Sequence, residues 1–202
     1  MSNIQRQQVK FIDPIIFKNG NILLNYDHGD EGKYQFQTIR MFLPFGISCN
    51  DYDGMKRYTI DAAIKGIEEP YVQDFINNIG LIDKDIINFL KSDNRPEQLA
   101  HLNSEDIENM YCSSIKETKY HPQMRLRVVS QQGVIDSEFH DENDTFIDMY
   151  NVSDRHFKGY SAIFIIELSS IVVTSERITP SWKIVRARVF PPQKITGYQF
   201  LD

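Results

Sequence analysis

Two long β-prone runs joined by a short turn constrain this chain more than any other feature. YSAIFIIELSSIVVT (160–174) is rich in Ile and Val, the β-branched residues that fit a pleated, half-buried surface. SERITP turns the chain back into SWKIVRARVF (181–190), and Pro-Pro stops that second run, because proline cannot donate to a ladder. Side chains on a strand alternate between faces. Val185, Ala187 and Val189 therefore share one side, which reads as core. Trp182, Ile184, Arg186 and Arg188 share the other, which sets the single tryptophan beside two guanidinium groups on one surface. An extra residue in the strand would flip that row and bury the indole.

Upstream the pattern changes twice. DPIIFKNGNILLNY carries an Asn-Gly turn (Asn19, Gly20) between apolar runs, a hairpin signal. DHGDEG is a polar turn, and KYQFQTIRMFLPFG reads as one strand of about ten residues, bent or ended near Pro44 and Gly46. NDYDG is a turn and MKRYTIDAAIKG a further strand. From Pro70 the apolar spacing becomes three and four, which marks helix. Pro70 suits a first helical position, Gly80 ends a first helix and Asp83 starts a second. A loop and short helix follow, capped by Asn103 or Ser104, so a helical insert spans about 70–117. Strands then return as YHPQMRLRVVS, a QQG turn and VIDSEFHD. These elements predict a single domain over 1–202, α+β and mostly antiparallel, built on a barrel or a sandwich.

Composition removes several function classes. The 202 residues carry a formal net charge of -6, so nucleic-acid binding needs a local basic patch against an unfavourable overall field. Cys49 and Cys112 stand far apart, which argues against a disulfide scaffold or a zinc knuckle and for reducing surroundings. The polar start MSNIQRQQVKF lacks a signal-peptide core, and the longest apolar run contains Glu167 and falls short of a membrane span. The five histidines are scattered without ligand spacing. HDEND (140–144) is acidic enough for a divalent cation, but its place between strands reads as a solvated turn. No phosphate-loop, dinucleotide, zincin or nucleophile-elbow motif occurs. The expectation is a non-enzymatic protein without cofactors or metal, free of membranes, in the cytosol, nucleus or an intracellular compartment of assembly.

An Arg-x-Arg pattern occurs twice. In QMRLRVVS, Arg125 and Arg127 face one way while Met124, Leu126 and Val128 face the other; Arg186 and Arg188 repeat the arrangement. Such rows are either solubilising charges paired with local carboxylates or a surface for an unpaired nucleic acid. Cations meet phosphates there and aromatic plates stack bases, each stack worth about 1–3 kcal/mol. Tyr34, Phe36 and Arg40 add an aromatic and cationic row, with Lys56, Arg57 and Tyr58 close by on the next strand.

The final hairpin resembles that of the single-stranded-DNA-binding proteins of large nucleocytoplasmic DNA viruses, in which an apolar strand and short turn precede a strand opening Ser-Trp-Lys and ending in Val. The matching positions are Ser181, Trp182, Lys183 and Val189. YHPQMRLRVV, LPFG and the helical insert are similar to that family's layout. The resemblance implies a phage-type OB fold, an OB-like β-barrel with a helical insertion, and sequence-tolerant binding of single-stranded DNA, or of RNA, in viral replication or repair. The candidate contacts are Trp182 as base-stacker, the arginines Arg186, Arg188, Arg125 and Arg127 on phosphate, and Lys183, Arg40 and Tyr34 beside them. A second reading is a virion structural or assembly protein, homo-oligomeric or bound to viral partners through aromatic-rich loops such as PYVQDF and GYQFLD.

Overall fold

The structure is a computed structural model that describes residues 11–12, 14–26, 35–52, 55–150 and 152–193. Tyr34, the DHGDEG turn and the GYQFLD tail lie outside the described residues. The strands in chain order are β1 (Ile15–Ile16), β2 (Ile22–Asn25), β3 (Gln35–Gln37), β4 (Met41–Phe42), β5 (Ile47–Tyr52) and β6 (Met55–Ala63). Helices α1 (Pro70–Lys91) and α2 (Ser104–Met110) follow, with one 3-10 turn between them. The chain then forms β7 (Ile115–Lys116), β8 (Gln123–Val128), β9 (Ser130–Gln131), β10 (Val134–Ile135), β11 (Glu138–His140), β12 (Ser161–Val173) and β13 (Ile178–Phe190).

The expected final hairpin is the spine of the fold. Strands β12 and β13 pair antiparallel along their whole length, from Ser161↔Phe190 to Val173↔Ile178. Strand β12 also pairs β4, β4 pairs β6, β6 pairs β8, and β8 returns to β13, so five strands are hydrogen-bonded in a closed cycle. Such closure removes the exposed edges of the strands involved. The sheet is mixed: most of its pairs are antiparallel, as expected, but β8 and β11 both run parallel to β13. Short turns between neighbours give the antiparallel pairs, whereas β8 and β13 are far apart in sequence, and long connections permit parallel pairing.

Local signals were answered in most places. Asn19-Gly20 sits in the turn between β1 and β2, and Gln132 and Gly133 both adopt positive φ between β9 and β10, as a two-residue primed turn requires. The expected ten-residue early strand is two pieces, β3 and β4, because Thr38 turns inward and its hydroxyl receives the Phe164 N–H at 3.0 Å.

The two expected helices of the insert are one. Helix α1 runs from Pro70 through Gly80 without a break. A glycine inside a helix costs about 1 kcal/mol relative to alanine, and the burial of Val72, Phe75, Ile79, Ile82, Ile86 and Leu90 along one face outweighs it. PYVQDF is consequently a helix start rather than a loop, with Tyr71 exposed and Phe75 buried. Asn103 is the cap of α2, its side chain accepting from the N–H groups of Glu105 and Asp106 while Asp106 accepts from the Asn103 N–H. One cluster of buried side chains joins the sheet to α1. Among the described residues, no helix is long and apolar enough to cross a membrane.

Candidate nucleic-acid interface

The face assignment of β13 decides what this surface can do. In the β12–β13 ladder, Ile165 pairs Arg186 while Ile166 pairs Ile184, so Val185 is an extra residue. A bulge of this kind reverses which parity faces inward. Before it, Ile178, Pro180, Trp182 and Ile184 are buried; after it, Ala187 and Val189 are buried while Arg186 and Arg188 face solvent. Tryptophan and arginines thus lie on opposite faces of the strand.

Trp182 is only 2% exposed. Its indole N–H donates to Ser114 Oγ at 2.8 Å, and Phe36 meets the ring edge-on at 5.5 Å. The assignment of Trp182 as a base-stacker is therefore corrected: with both polar edge and apolar faces occupied inside the core, no base can reach it. Phe36, grouped with the binding row in sequence, is half-buried against it. Ser114 continues the network, its hydroxyl and N–H donating to Asp83 on α1 at 2.5 and 2.9 Å. Tyr111 and Ser113 donate to the same carboxylate at 2.8 and 3.0 Å. Burial beside Asp83 pushes the Tyr111 phenol far above its ordinary pKa, so it stays a donor. An aspartate read as a helix start is instead the polar tie between the helix and the last strand.

Most of the predicted cations already have partners. Arg188 meets Asp144 at 2.7 Å, and Arg186 lies 3.8 Å from the same oxygen and 3.6 Å from Glu138. Arg186 also approaches His140 Nε2 at 3.2 Å. The acidic HDEND segment is the turn expected of it, and its carboxylate Asp144 is what holds the second arginine row. Arg125 makes a two-pronged contact with Asp61, at 2.7 and 2.9 Å, across the β6–β8 pair. Lys183 pairs with Glu167 at 2.7 Å, and Gln35 donates to that carboxylate at 2.8 Å. Glu167 is wholly buried, and a buried carboxylate is stable only when paired and hydrogen-bonded. Arg40 lies over the Phe190 ring at 4.1 Å.

Arg127 is different. It faces outward from β8 beside Lys183 in register, and no carboxylate among the described residues lies within 4 Å of it. Its side chain reaches solvent, yet burial is the main influence drawing its pKa below the ordinary arginine value, reinforced by Arg57 and opposed by Glu167. It remains charged at neutral pH. Arg127 opens onto a groove of about 1230 Å³ that also takes Lys56, Arg57, Tyr58, Phe17 and Tyr150 into its walls. No aspartate or glutamate among the described residues lines it, which is unusual on a chain of net charge -6.

Five segments distant in sequence build this groove: the β1–β2 hairpin, the start of β6, the end of β8 with the β9–β10 turn, the loop around Tyr150, and Val172 near the end of β12. Tyr58 is buried and its hydroxyl donates to Gly133 O at 3.2 Å, which ties the β9–β10 turn to β6; burial, with Cys49 adjacent, raises its pKa. Phe17 and Tyr150 are 47% and 67% exposed. Sequence reasoning placed Arg127 on an outward row but set Lys56 and Arg57 beside the row of Tyr34, Phe36 and Arg40; the fold brings them to Arg127 instead. It passed over Phe17 and Tyr150. The Asn-Gly turn was a usable sign for Phe17, since it projects that residue at a hairpin tip; nothing local marked Tyr150. Among the described residues, no group of three or more His, Cys, Asp or Glu side chains could hold a metal ion.

The Asp144 clasp yields a pH prediction. Hydrogen bonding from Arg188 holds the Asp144 carboxyl below the usual aspartate range. A lowered folded-state pKa adds stability above the unfolded value, about 3.9, and loses it as pH falls through the lowered folded value. Asp144→Asn is thus expected to be slightly less stable than wild type at pH 7, with the gap closing as the pH is lowered past that range. Urea unfolding across pH measures it, and a gap that persists in acid would refute the clasp.

The sequence matches no protein-family model and no curated protein. Solved structures are similar to it. The crystal structure of gp2.5, a single-stranded DNA binding protein encoded by bacteriophage T7, superposes with a TM-score of 0.51 at 8% identity, covering 79% of this chain and 93% of that one. The single-stranded DNA-binding protein from bacteriophage Enc34 in complex with ssDNA gives a TM-score of 0.48 at 10% identity, covering 94% and 99%. At this identity the likeness to gp2.5 is one of fold.

Proposed function

We propose that this protein binds single-stranded DNA with little sequence preference and acts in viral DNA replication or repair. The observation that carries the reading is the groove: three cations, two exposed aromatic side chains and, among the described residues, no lining carboxylate, on a fold shared with a phage single-strand binder. Arg127 and Lys56 neutralise phosphates and Arg57 adds to the field, while Phe17 and Tyr150 stack bases. That combination suits an unpaired strand, because every base offers a π-face and every nucleotide a charge. The closed cycle of five strands is read as an OB-type barrel, whose sheet face and loops carry such sites. The Ser181-Trp182-Lys183 stretch, which lies three residues inside β13 rather than at its start, supports kinship with the single-strand binders of large nucleocytoplasmic DNA viruses. In this reading the motif serves packing, and the protein works in the host cytoplasm, nucleus or virus factory.

The test is anisotropy of labelled oligo-dT with wild type and with a Lys56→Ala/Arg127→Ala variant. Each phosphate contact on a single strand contributes about 0.7 to the slope of log affinity against log salt. Losing two should flatten that slope by about 1.4 and weaken binding roughly 25-fold at 0.1 M salt. Arg125→Ala, whose cation is committed to Asp61, should change little by comparison. Wild type that fails to bind at low salt would overturn the reading.

A second reading, self-association, is favoured by one feature. Strand β1 ends the sheet, with Ile15 and Ile16 both exposed, and an apolar edge strand is a pairing template. Light scattering after size exclusion separates an oligomer from a monomer.

A further inference from the structure

We infer that a second phosphate-binding site lies at the opposite end of the barrel, formed by Arg40 and Lys65 over the rings of Phe190 and Phe42, and that a longer DNA strand extends from the groove to reach it. The inference rests on the single-strand reading above. Ser161 of β12 is flanked in register by Phe42 of β4 on one side and Phe190 of β13 on the other. Residues directly opposite one another across a sheet share a face, so the two rings stand on the same outward surface with a serine between them. The next residues, Met41, Ala162 and Val189, are buried, which fixes that surface as the outer one.

Each ring carries a cation. Lys65 Nζ sits 3.6 Å from the centroid of Phe42, and the Arg40 guanidinium carbon sits 4.1 Å from that of Phe190. Both side chains are exposed. Neither has a carboxylate within 4 Å among the described residues, although Glu68 and Glu69 follow Lys65 closely in the chain. This sets the pair apart from Arg125, Arg186, Arg188 and Lys183, all held by acids. A cation resting on an aromatic face is positioned by the ring's quadrupole, yet that contact uses none of its N–H donors. Two oriented cations flanking the paired strands β4 and β6, with no carboxylate partner among the described residues, are complementary to an anionic ligand, and a polyphosphate strand supplies repeated charges at both ends of one protein.

The spacing separates this site from the groove. Lys56 and Lys65 lie nine positions apart along and just beyond β6, about 30 Å of extended chain. A strand confined to the groove cannot reach the second pair. Single-strand sites on barrels of this type range from about 4 to 16 nucleotides, and two-ended contact would put this protein toward the longer limit.

The experiment uses the full chain and an Arg40→Ala/Lys65→Ala variant, which keeps both rings, with labelled dT oligonucleotides of about 4 and about 12 nucleotides. Unchanged emission of the buried Trp182 checks that the variant is folded. The variant should bind the short oligonucleotide like wild type. It should bind the long one about 10-fold or more weakly at 0.1 M salt, with a salt slope flatter by about 1.4. Equal affinity of variant and wild type for the long oligonucleotide overturns the second site and leaves the groove reading intact. Wild type that binds neither length overturns both.

Discussion

Replacing Trp182 with alanine is expected to cost about 3–5 kcal/mol of folding stability, the usual range for deleting a large aromatic from a core. The whole indole is removed from a site only 2% exposed. Ser114 loses the donor on its Oγ, and Phe36 loses the ring it meets edge-on. Because a loss of this size can unfold a domain outright, Trp182→Phe is the sharper measurement. It retains much of the apolar contact and drops the hydrogen bond, and it should cost about 1–3 kcal/mol. Urea unfolding gives both values through the midpoint, with the slope unchanged if the denatured state is unaffected. The affinity of folded Trp182→Phe for oligo-dT should stay within about twofold of wild type, since 1.4 kcal/mol would correspond to a factor of ten. Emission of the lone tryptophan should report unfolding and remain steady when DNA is added. A variant of unaltered stability with tenfold weaker binding would return the indole to the surface.

Gly46→Ala should be the most damaging glycine-to-alanine substitution among the described residues. Gly46 has φ of +70°, and a Cβ there would stand 2.2 Å from the His156 carbonyl oxygen and 2.6 Å from the Lys158 nitrogen. Both obstacles are backbone and cannot swing aside. The segment they belong to is stitched to the same region, with Ile47 N–H donating to His156 O at 2.8 Å and Arg155 N–H donating to Ile47 O at 2.7 Å. Accommodating one methyl group therefore means breaking that stitching as well as holding alanine in a left-handed conformation. The combined loss should exceed about 4 kcal/mol, a range reached only by a few named mechanisms. Gly20→Ala is the natural control. It shares positive φ, but nothing lies within 4 Å of its Cβ position, so only the conformational term of about 1–2 kcal/mol remains. Equal thermal stability of the two variants would refute the close approach of the 155–158 backbone.

Burial of His156 adds a dependence on pH in the same region. Its pKa is lowered by desolvation, so the neutral ring is preferred in the folded state. That preference contributes stability above the unfolded value, about 6.5, and is lost as pH falls from there through the lowered folded value.

The partition between local and distant information is visible residue by residue. Packing joined helix α1 across Gly80, but within a few positions of one another residues dictated its two apolar stripes, the Asn19-Gly20 and Gln132-Gly133 turns, and the outward placing of Arg125 and Arg127. Each is settled by side-chain periodicity or by the φ a turn demands, and neither needs a partner elsewhere. The groove was half legible for the same reason: its cations ride on strands whose alternation can be read, whereas Tyr150 comes from a loop with no period.

What only the tertiary structure decided is which groups meet. Periodicity cannot reveal the extra residue at Val185, because a bulge exists only relative to the neighbouring strand, and that one position sent Trp182 inward while leaving Arg186 and Arg188 outside. Nor could it pair Arg188 with Asp144, Arg125 with Asp61 or Lys183 with Glu167, contacts that bridge from 16 to 64 positions of chain. The order of residues sets strands, helices and their faces through short-range sterics. That Arg127 and Lys56 face one groove without an aspartate or glutamate in its wall among the described residues emerges only once distant strands are brought together.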